Sequence, residues 1–503
     1  MNLNDNPIFL TQKRLVHRAG VLAAVLIAAL VGASLLSGLI AYLAAPLDYN
    51  FRSSQDAGRM FYGWVIGVEI LVLVVGGFSR ICNTLANERK AGLWDSNRLT
   101  PLQPWQLVTG YWFGSPLREF YMAVVLAGIG LVIVLLGRLS PALWLGTQLL
   151  IFSTALFFGL LAVLIGLVAQ RPQNGVILFL LFFLLQFPSF TMPKFLLTNF
   201  LLPIYGMADL FRDAADTNSA DLLESWNGLP NIFGLPVYPI LLSLALQLIV
   251  GIFLWRAAVR KTASPFQPLF LRWEAIALFA IILLAQHGLI WGLWRGHFST
   301  AADQGRYYDR ESILSIVHCG TLFLGTIVLA FSSAQPERMR VKALRLGFKN
   351  PGAIFSGSAV SLAFVLAAVA AAVLLTQCAL SLADSWEIYL IAVGNLLAFF
   401  LVFSLLLEFC RLRFKRRALG FVALWLFVLC VLPFILAGVF STAAIGKLSL
   451  LSPGIVALAN PHDDGLNYLL GIVAGHLAIA FLLFLGWQRQ WKQLLAKAST
   501  IQN

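Results

Sequence analysis

Residues 86–110 read ANERKAGLWDSNRLTPLQPWQLVTG. Glu88, Arg89, Lys90, Asp95 and Arg98 crowd into the middle of this stretch, beside Trp94, Pro101, Pro104 and Trp105. Long apolar runs flank it, 61–79 before and 119–137 after. The fold turns on this contrast. Two apolar runs of that length are membrane spans, and the charged, proline-bearing connection between them is a shaped loop on one membrane face.

Working outward, the chain has 503 residues, 60% hydrophobic and only 11% charged. A soluble domain carries about 25% charged residues, so this chain cannot coat itself for water and its solvent is mostly lipid. The pI near 9.8 accompanies no basic domain with interleaved aromatics, which argues against nucleic acid. Cys82, Cys319, Cys378, Cys410 and Cys430 are scattered without a CxxC pair, so neither a disulfide framework nor a zinc site is expected. The first apolar run, 19–44, exceeds the roughly 7–15 residues of a signal-peptide core and lacks a small-residue cleavage site, so it reads as a retained span.

A span needs about 20 apolar residues. Twelve segments qualify: 19–44, 61–79, 119–137, 142–169, 175–190, 236–255, 275–294, 312–333, 355–376, 388–408, 419–440 and 468–486. Backbone in lipid satisfies its own hydrogen bonds, so each is expected to be helical. With a cytoplasmic N-terminus, the inner segments hold 26 of the 35 Lys and Arg, and 14 of the 22 acids fall outside. That is the positive-inside pattern, and the basic pI becomes a topology signal. The expectation is an all-α integral membrane protein with both termini cytoplasmic. Its parts are a helix at 1–18, a six-helix half at 19–255, a cytoplasmic linker at 256–274, a second half at 275–486 and a tail at 487–503. Six is even, so the two halves run parallel.

The N-terminus, NPIFLTQKRLVHR, predicts an interfacial helix. Asn6 can cap and Pro7 suits the first helical position. Ile8, Phe9, Leu15 and Val16 share one side and Lys13, Arg14, His17 and Arg18 the other, placing the cations near anionic headgroups. In the opening stretch, nothing stops the second span's helix at Ser79, because Arg80–Lys90 lacks Gly and Pro. Gly92 is a terminator. Thr100–Pro101 and then Pro104 are start signals, and WQLVTGYWF suits the headgroup level. The expected shape is a rigid elbow: helix, sharp turn, short interfacial helix, third span.

These residues resemble the signature of ABC-2-type permeases, the membrane subunits of one class of ATP-driven transporters. Glu88, Arg89, Gly92, Leu99, Thr100, Pro101 and Leu102 match position by position, and Trp94 and Asp95 fit the looser middle. The resemblance is best over residues 6–255. It implies six spans per permease unit and a loop after the second span that docks on an ATPase subunit. ATP and Mg would then be bound by that partner and none by this chain, and the protein would reside in a bacterial cytoplasmic membrane. The second half departs from the pattern: its loop SSAQPERMRVKALRLGFKNP keeps Pro336, Glu337 and Arg338 but lacks L-T-P-L. Either it docks a second ATPase or it serves otherwise, and either one chain supplies both halves of the pathway or two chains pair. The nearest lookalike to an ATP-binding loop, AAIGKL at Lys447, lacks the first glycine.

Glu69 is the one acid well inside a span. Such residues are often functional; it lines a substrate path, or is protonated and bonded to a neighbouring helix, or snorkels. Gln148, Gln186, Gln247, Gln286, Gln377 and Asn395 are expected to glue helices together. His287, His318 and His476, lacking ligand spacing, are expected to pack. RLRFKRR at 411–417 reads as an anchor on anionic lipid, residues 461–464 as a solvated turn, and the acidic 209–224 as a surface helix or lid. The sequence thus points to the membrane subunit of an ATP-driven exporter, without bond chemistry of its own. Two rivals stand beside it: a twelve-helix secondary transporter, and a membrane-embedded enzyme acting on lipid or glycan.

Overall fold

A computed structural model describes residues 6–18, 20–44, 54–99, 101–168, 197–201, 207, 231–233, 235–264, 267–294, 310–332, 358–381 and 386–414. It also describes 421–422, 424–425, 427–433, 436, 448–451, 453, 456 and 466–499. The described residues are about 90% helical. Among the described residues nine helices are long and apolar enough to cross a membrane. They coincide with nine of the twelve segments. Segment 312–333 is helical too, although its apolar part, Val317–Ser332, is shorter. Segment 175–190 lies outside the described residues, and 419–440 is described only in pieces, including a π-helical turn at Phe427–Val431.

The chain divides into two compact units, Met1–Pro230 with Leu235–Pro265, and Asn231–Gly234 with Phe266–Asn503. In the first, α1 (Pro7–Arg18) leads to α2 (Val21–Ala44) and α3 (Ser54–Ile70). A π-helical segment, Leu71–Gly76, joins α3 to α4 (Gly77–Lys90) without a break, since Ile70 and Gly77 keep helical dihedrals. After the elbow come α7 (Leu117–Leu136), α8 (Pro141–Val168), the single turn α9 (Thr198–Leu201) and α10 (Pro239–Ala263). The elbow itself holds α5 (Leu93–Leu99) and α6 (Pro104–Gly114). Helix α2 lies against α7 and α3, α8 against α10 and α4, and α1 against α6. Tyr62, Phe78, Tyr111, Phe158 and Phe200 are fully buried between them.

The second unit contains α11 (Arg272–Trp294), α12 (Arg310–Ser332), α13 (Ala359–Ser381), α14 (Trp386–Phe414) and α15 (Leu466–Ser499). Helix α14 is its centre, packed on α13, α15 and α12. Two features differ from the sequence reading. The sixth span's helix runs on to Ala263, into the expected linker, because RAAVRKTA offers no Gly or Pro before Pro265. And α5 was not expected, for reasons that lie in its contacts.

Of the polar residues expected to hold helices together, Gln148, Gln247 and Asn395 do so, while Gln186 and the Gln377 side chain lie outside the described residues. Gln247 on α10 donates to Thr154 Oγ1 of α8 at 3.0 Å and to the Leu201 carbonyl at 2.9 Å, and accepts from Ser153 Oγ at 2.7 Å. Asn395 on α14 donates to the Leu450 carbonyl at 2.9 Å and pairs with His318 Nε2 of α12 at 3.1 Å. His476 Nε2 pairs with the Leu448 carbonyl at 3.0 Å.

Candidate functional site

The elbow begins where α4 ends. Ala91 N–H donates to the Asn87 carbonyl at 3.0 Å and Gly92 N–H to the Arg89 carbonyl at 3.2 Å. Gly92 has φ +72°, a left-handed conformation that a side chain resists and that ends a helix. The turn releases the chain into α5, and Ser96 N–H bonds back to the Gly92 carbonyl at 3.3 Å. Of the two start signals, the second is used. Pro104 is the first residue of α6, and Gln106 Oε1 accepts the N–H of Gln103 at 2.9 Å, a capping interaction.

Glu88 sits at the centre of this turn. Its Oε1 accepts from Gln12 Nε2 of α1 at 2.8 Å, and its Oε2 accepts the hydroxyl of Tyr111 on α6. Asn97 Nδ2 of α5 donates to the same hydroxyl oxygen at 2.9 Å, and the Trp94 ring lies 5.5 Å from the Tyr111 ring. Four helices therefore meet on one carboxylate and one phenol. Burial, reinforced by the Glu88 charge, pushes the Tyr111 hydroxyl above the ordinary tyrosine range, so it stays a donor. The neighbouring Arg89 turns to α8: its Nη1 donates to the carbonyls of Leu167 at 3.0 Å and Gly166 at 3.3 Å. Those carbonyls belong to the last turn of α8, which has no intrahelical donors of its own and attracts a cation.

Helix α1 locks onto α6 at close range. Asn6 Oδ1 caps α1 through the N–H of Ile8 at 3.0 Å, and Asn6 Nδ2 donates to the Gln106 carbonyl at 2.7 Å. Gly110 lies so near α1 that a Cβ there would stand 2.7 Å from Ile8 Cβ. Lys13 and Arg14 are on α1; the side chains beyond them lie outside the described residues.

Of the residues singled out in the sequence, Glu88, Arg89, Gly92 and Trp94 fall in one turn: Glu88 and Trp94 face Tyr111, and Arg89, though exposed, bonds the end of α8. Asp95 and Leu99 lie on α5, and their side chains lie outside the described residues. So do Thr100 and the second-half trio Pro336, Glu337 and Arg338 entirely. Pro101 is exposed and Leu102 half-buried. Leu93 is 53% exposed and Trp105 37%, so the outer surface of the elbow offers apolar side chains. No family model, curated protein or solved structure matches the chain.

Glu69 lies apart from the elbow, fully buried, and accepts from Gln148 Nε2 of α8 at 2.9 Å. The sequence reading missed Gln12, Tyr111 and Glu408. Glu408 closes an apolar segment, so nothing local marks it except Arg411 one helical turn on. Its Oε1 accepts the N–H of Ala359 at the start of α13. Arg411, expected to anchor on lipid, donates instead to the Ala330 carbonyl in the last turn of α12 at 2.9 Å. Residues 415–417 of the same run lie outside the described residues. Arg272 donates to Ser361 Oγ of α13. Among the described residues no three His, Cys, Asp or Glu side chains are grouped to hold a metal ion.

Proposed function

We propose that this chain is the membrane-spanning permease subunit of an ATP-driven exporter, worked by a separate ATPase subunit that grips the elbow between the second and third spans. One observation carries the reading: Glu88 ties α1, α4 and α6 into a single piece, while Leu93, Pro101 and Trp105 face outward from it. A piece bonded that way moves as a body, and an apolar outer surface suits a protein partner. A push on α5 or α6 would pass through Glu88 into α4 and through Arg89 into α8.

The proposal includes twelve spans in two parallel halves, cytoplasmic termini and a bacterial cytoplasmic membrane. The halves form a pseudo-dimer, or two chains pair. A second reading, a twelve-helix secondary transporter, is favoured by the buried acid Glu69. Purification of the tagged chain from its own cells separates the two. The first requires a co-purifying nucleotide-binding protein whose ATP hydrolysis the chain stimulates. A chain that purifies alone and moves cargo without ATP rules the first reading out.

A further inference from the structure

Glu69 on α3 and Gln148 on α8 share one hydrogen bond, from Gln148 Nε2 to Glu69 Oε2 at 2.9 Å. Two atoms of this pair are left over. Glu69 Oε1 and Gln148 Oε1 are both buried, and neither has a partner among the described residues. Both are oxygens, and an ionised carboxylate can only accept. A carboxylic acid, in contrast, brings a hydroxyl, and acid and amide can then pair through two bonds at once, N–H to oxygen one way and O–H to oxygen the other. One proton supplies the donor that both oxygens lack.

Among the described residues no cation is placed to offer another answer. Helices α2 and α8 carry no Lys, Arg or His, and α7 carries only Arg118, which pairs with its neighbour Glu119 at 2.8 Å. On the same helical rod the nearest cations are Arg59, ten residues before, and Arg80, eleven after, about 15 Å away along the axis. The titratable group facing Glu69 is Tyr62, whose hydroxyl is engaged with Thr147 Oγ1 and also contacts the Gln148 side chain, leaving Gln148 Oε1 and Glu69 Oε1 as they are. An ionised carboxylate so placed would stand uncompensated inside the unit.

We propose that Glu69 and Gln148 form a proton-binding site, with the proton on Glu69 Oε1 and shared with Gln148 Oε1. Binding takes H⁺ from water; release returns H⁺ to water and leaves a bare carboxylate two residues before the π-helical segment Leu71–Gly76. Such segments are local irregularities frequently found at functional sites. Proton occupancy would thereby bear on the rod from Ser54 to Lys90, which runs from Glu69 into the elbow. The site stands independently of the proposed transport role.

Infrared difference spectroscopy tests it on the full chain in lipid vesicles at neutral pH. The wild type should show the carbonyl stretch of a protonated carboxylic acid that is absent from Glu69→Gln and shifted in D₂O. Spectra differing only in the carboxylate region overturn the proposal. Gln148→Leu should keep that band and move it to higher frequency, as an amide bond is lost; an unmoved band overturns the pairing. Should Glu69→Gln fail to accumulate, Glu69→Asp must move the band, and its failure to do so is equally decisive.

Discussion

Gln12 and Glu88 stand 76 positions apart in the chain and are joined by a hydrogen bond of 2.8 Å. The N-terminal helix is therefore part of the elbow, and Glu88 acts from inside it: its carboxylate fixes the shape that a partner would meet.

Replacing Glu88 by Ala leaves the Tyr111 hydroxyl and Gln12 amide without their charged acceptor. The expected loss is about 1–3 kcal/mol, read as a lower Tm in detergent. Hydrogen exchange should rise in α5 and α6 together. If exchange is unchanged there, Glu88 does not hold the elbow.

Gly110→Val places a branched side chain where even a Cβ would meet Ile8. We expect α1 to come off α6 while the rest of the unit stays folded. A cysteine pair introduced at the exposed Thr11 and the half-buried Thr109, cross-linked by a short reagent, compares the two proteins. Equal yields would mean that α1 is not seated as described.

Gly92→Ala must adopt a left-handed backbone conformation at a cost of about 1 kcal/mol. Gly92→Asn should lose less, because asparagine tolerates that region better. The ordering of the two melting temperatures is the measurement, and the reverse ordering contradicts the turn.

Tyr111 gives a pH dependence. Its folded-state pKa is raised, so the stability it contributes is fully present below the ordinary tyrosine value and is lost as pH climbs above it. The wild type should therefore destabilise more steeply than Tyr111→Phe in the alkaline range above pH of about 10. Parallel curves would show that the hydroxyl is not held.

In the second unit, Asn395→Leu removes the bonds to His318 and the Leu450 carbonyl. Interhelical bonds of this kind contribute about 0.6 kcal/mol each, with a ceiling near 1.7. A fall in stability of about 1–2 kcal/mol in detergent unfolding is expected, and a neutral substitution would show these bonds to be dispensable.

Much of this was legible from local chemistry. Asn6 and Pro7 announce α1, Pro104 announces α6, and Gly92 announces the end of α4, because caps and turns are short-range events. Helix α5 was not legible. LWDSNRL is short and poor in strong helix formers, and what holds it is tertiary: Trp94 on Tyr111 and Asn97 bonded to its hydroxyl. The partners of Glu88 and Arg89 were hidden for the same reason, since neither Gln12 nor the end of α8 is near in sequence. The π-helical segment lies in LVLVVG, whose uniformly apolar residues carry no mark of an altered hydrogen-bond pattern.

Arg89 leaves the second span of its unit to reach the end of the fourth, and Arg411 leaves the fourth span of the other unit to reach the end of the second. Donor and acceptor have traded places. What the halves hold in common there is a vacancy to be filled, a helix terminus wanting donors, which either neighbour can fill. A shared need of that sort leaves no trace in residue-by-residue alignment, and a comparison of the two units would do better to ask which helices are fastened than which letters fasten them.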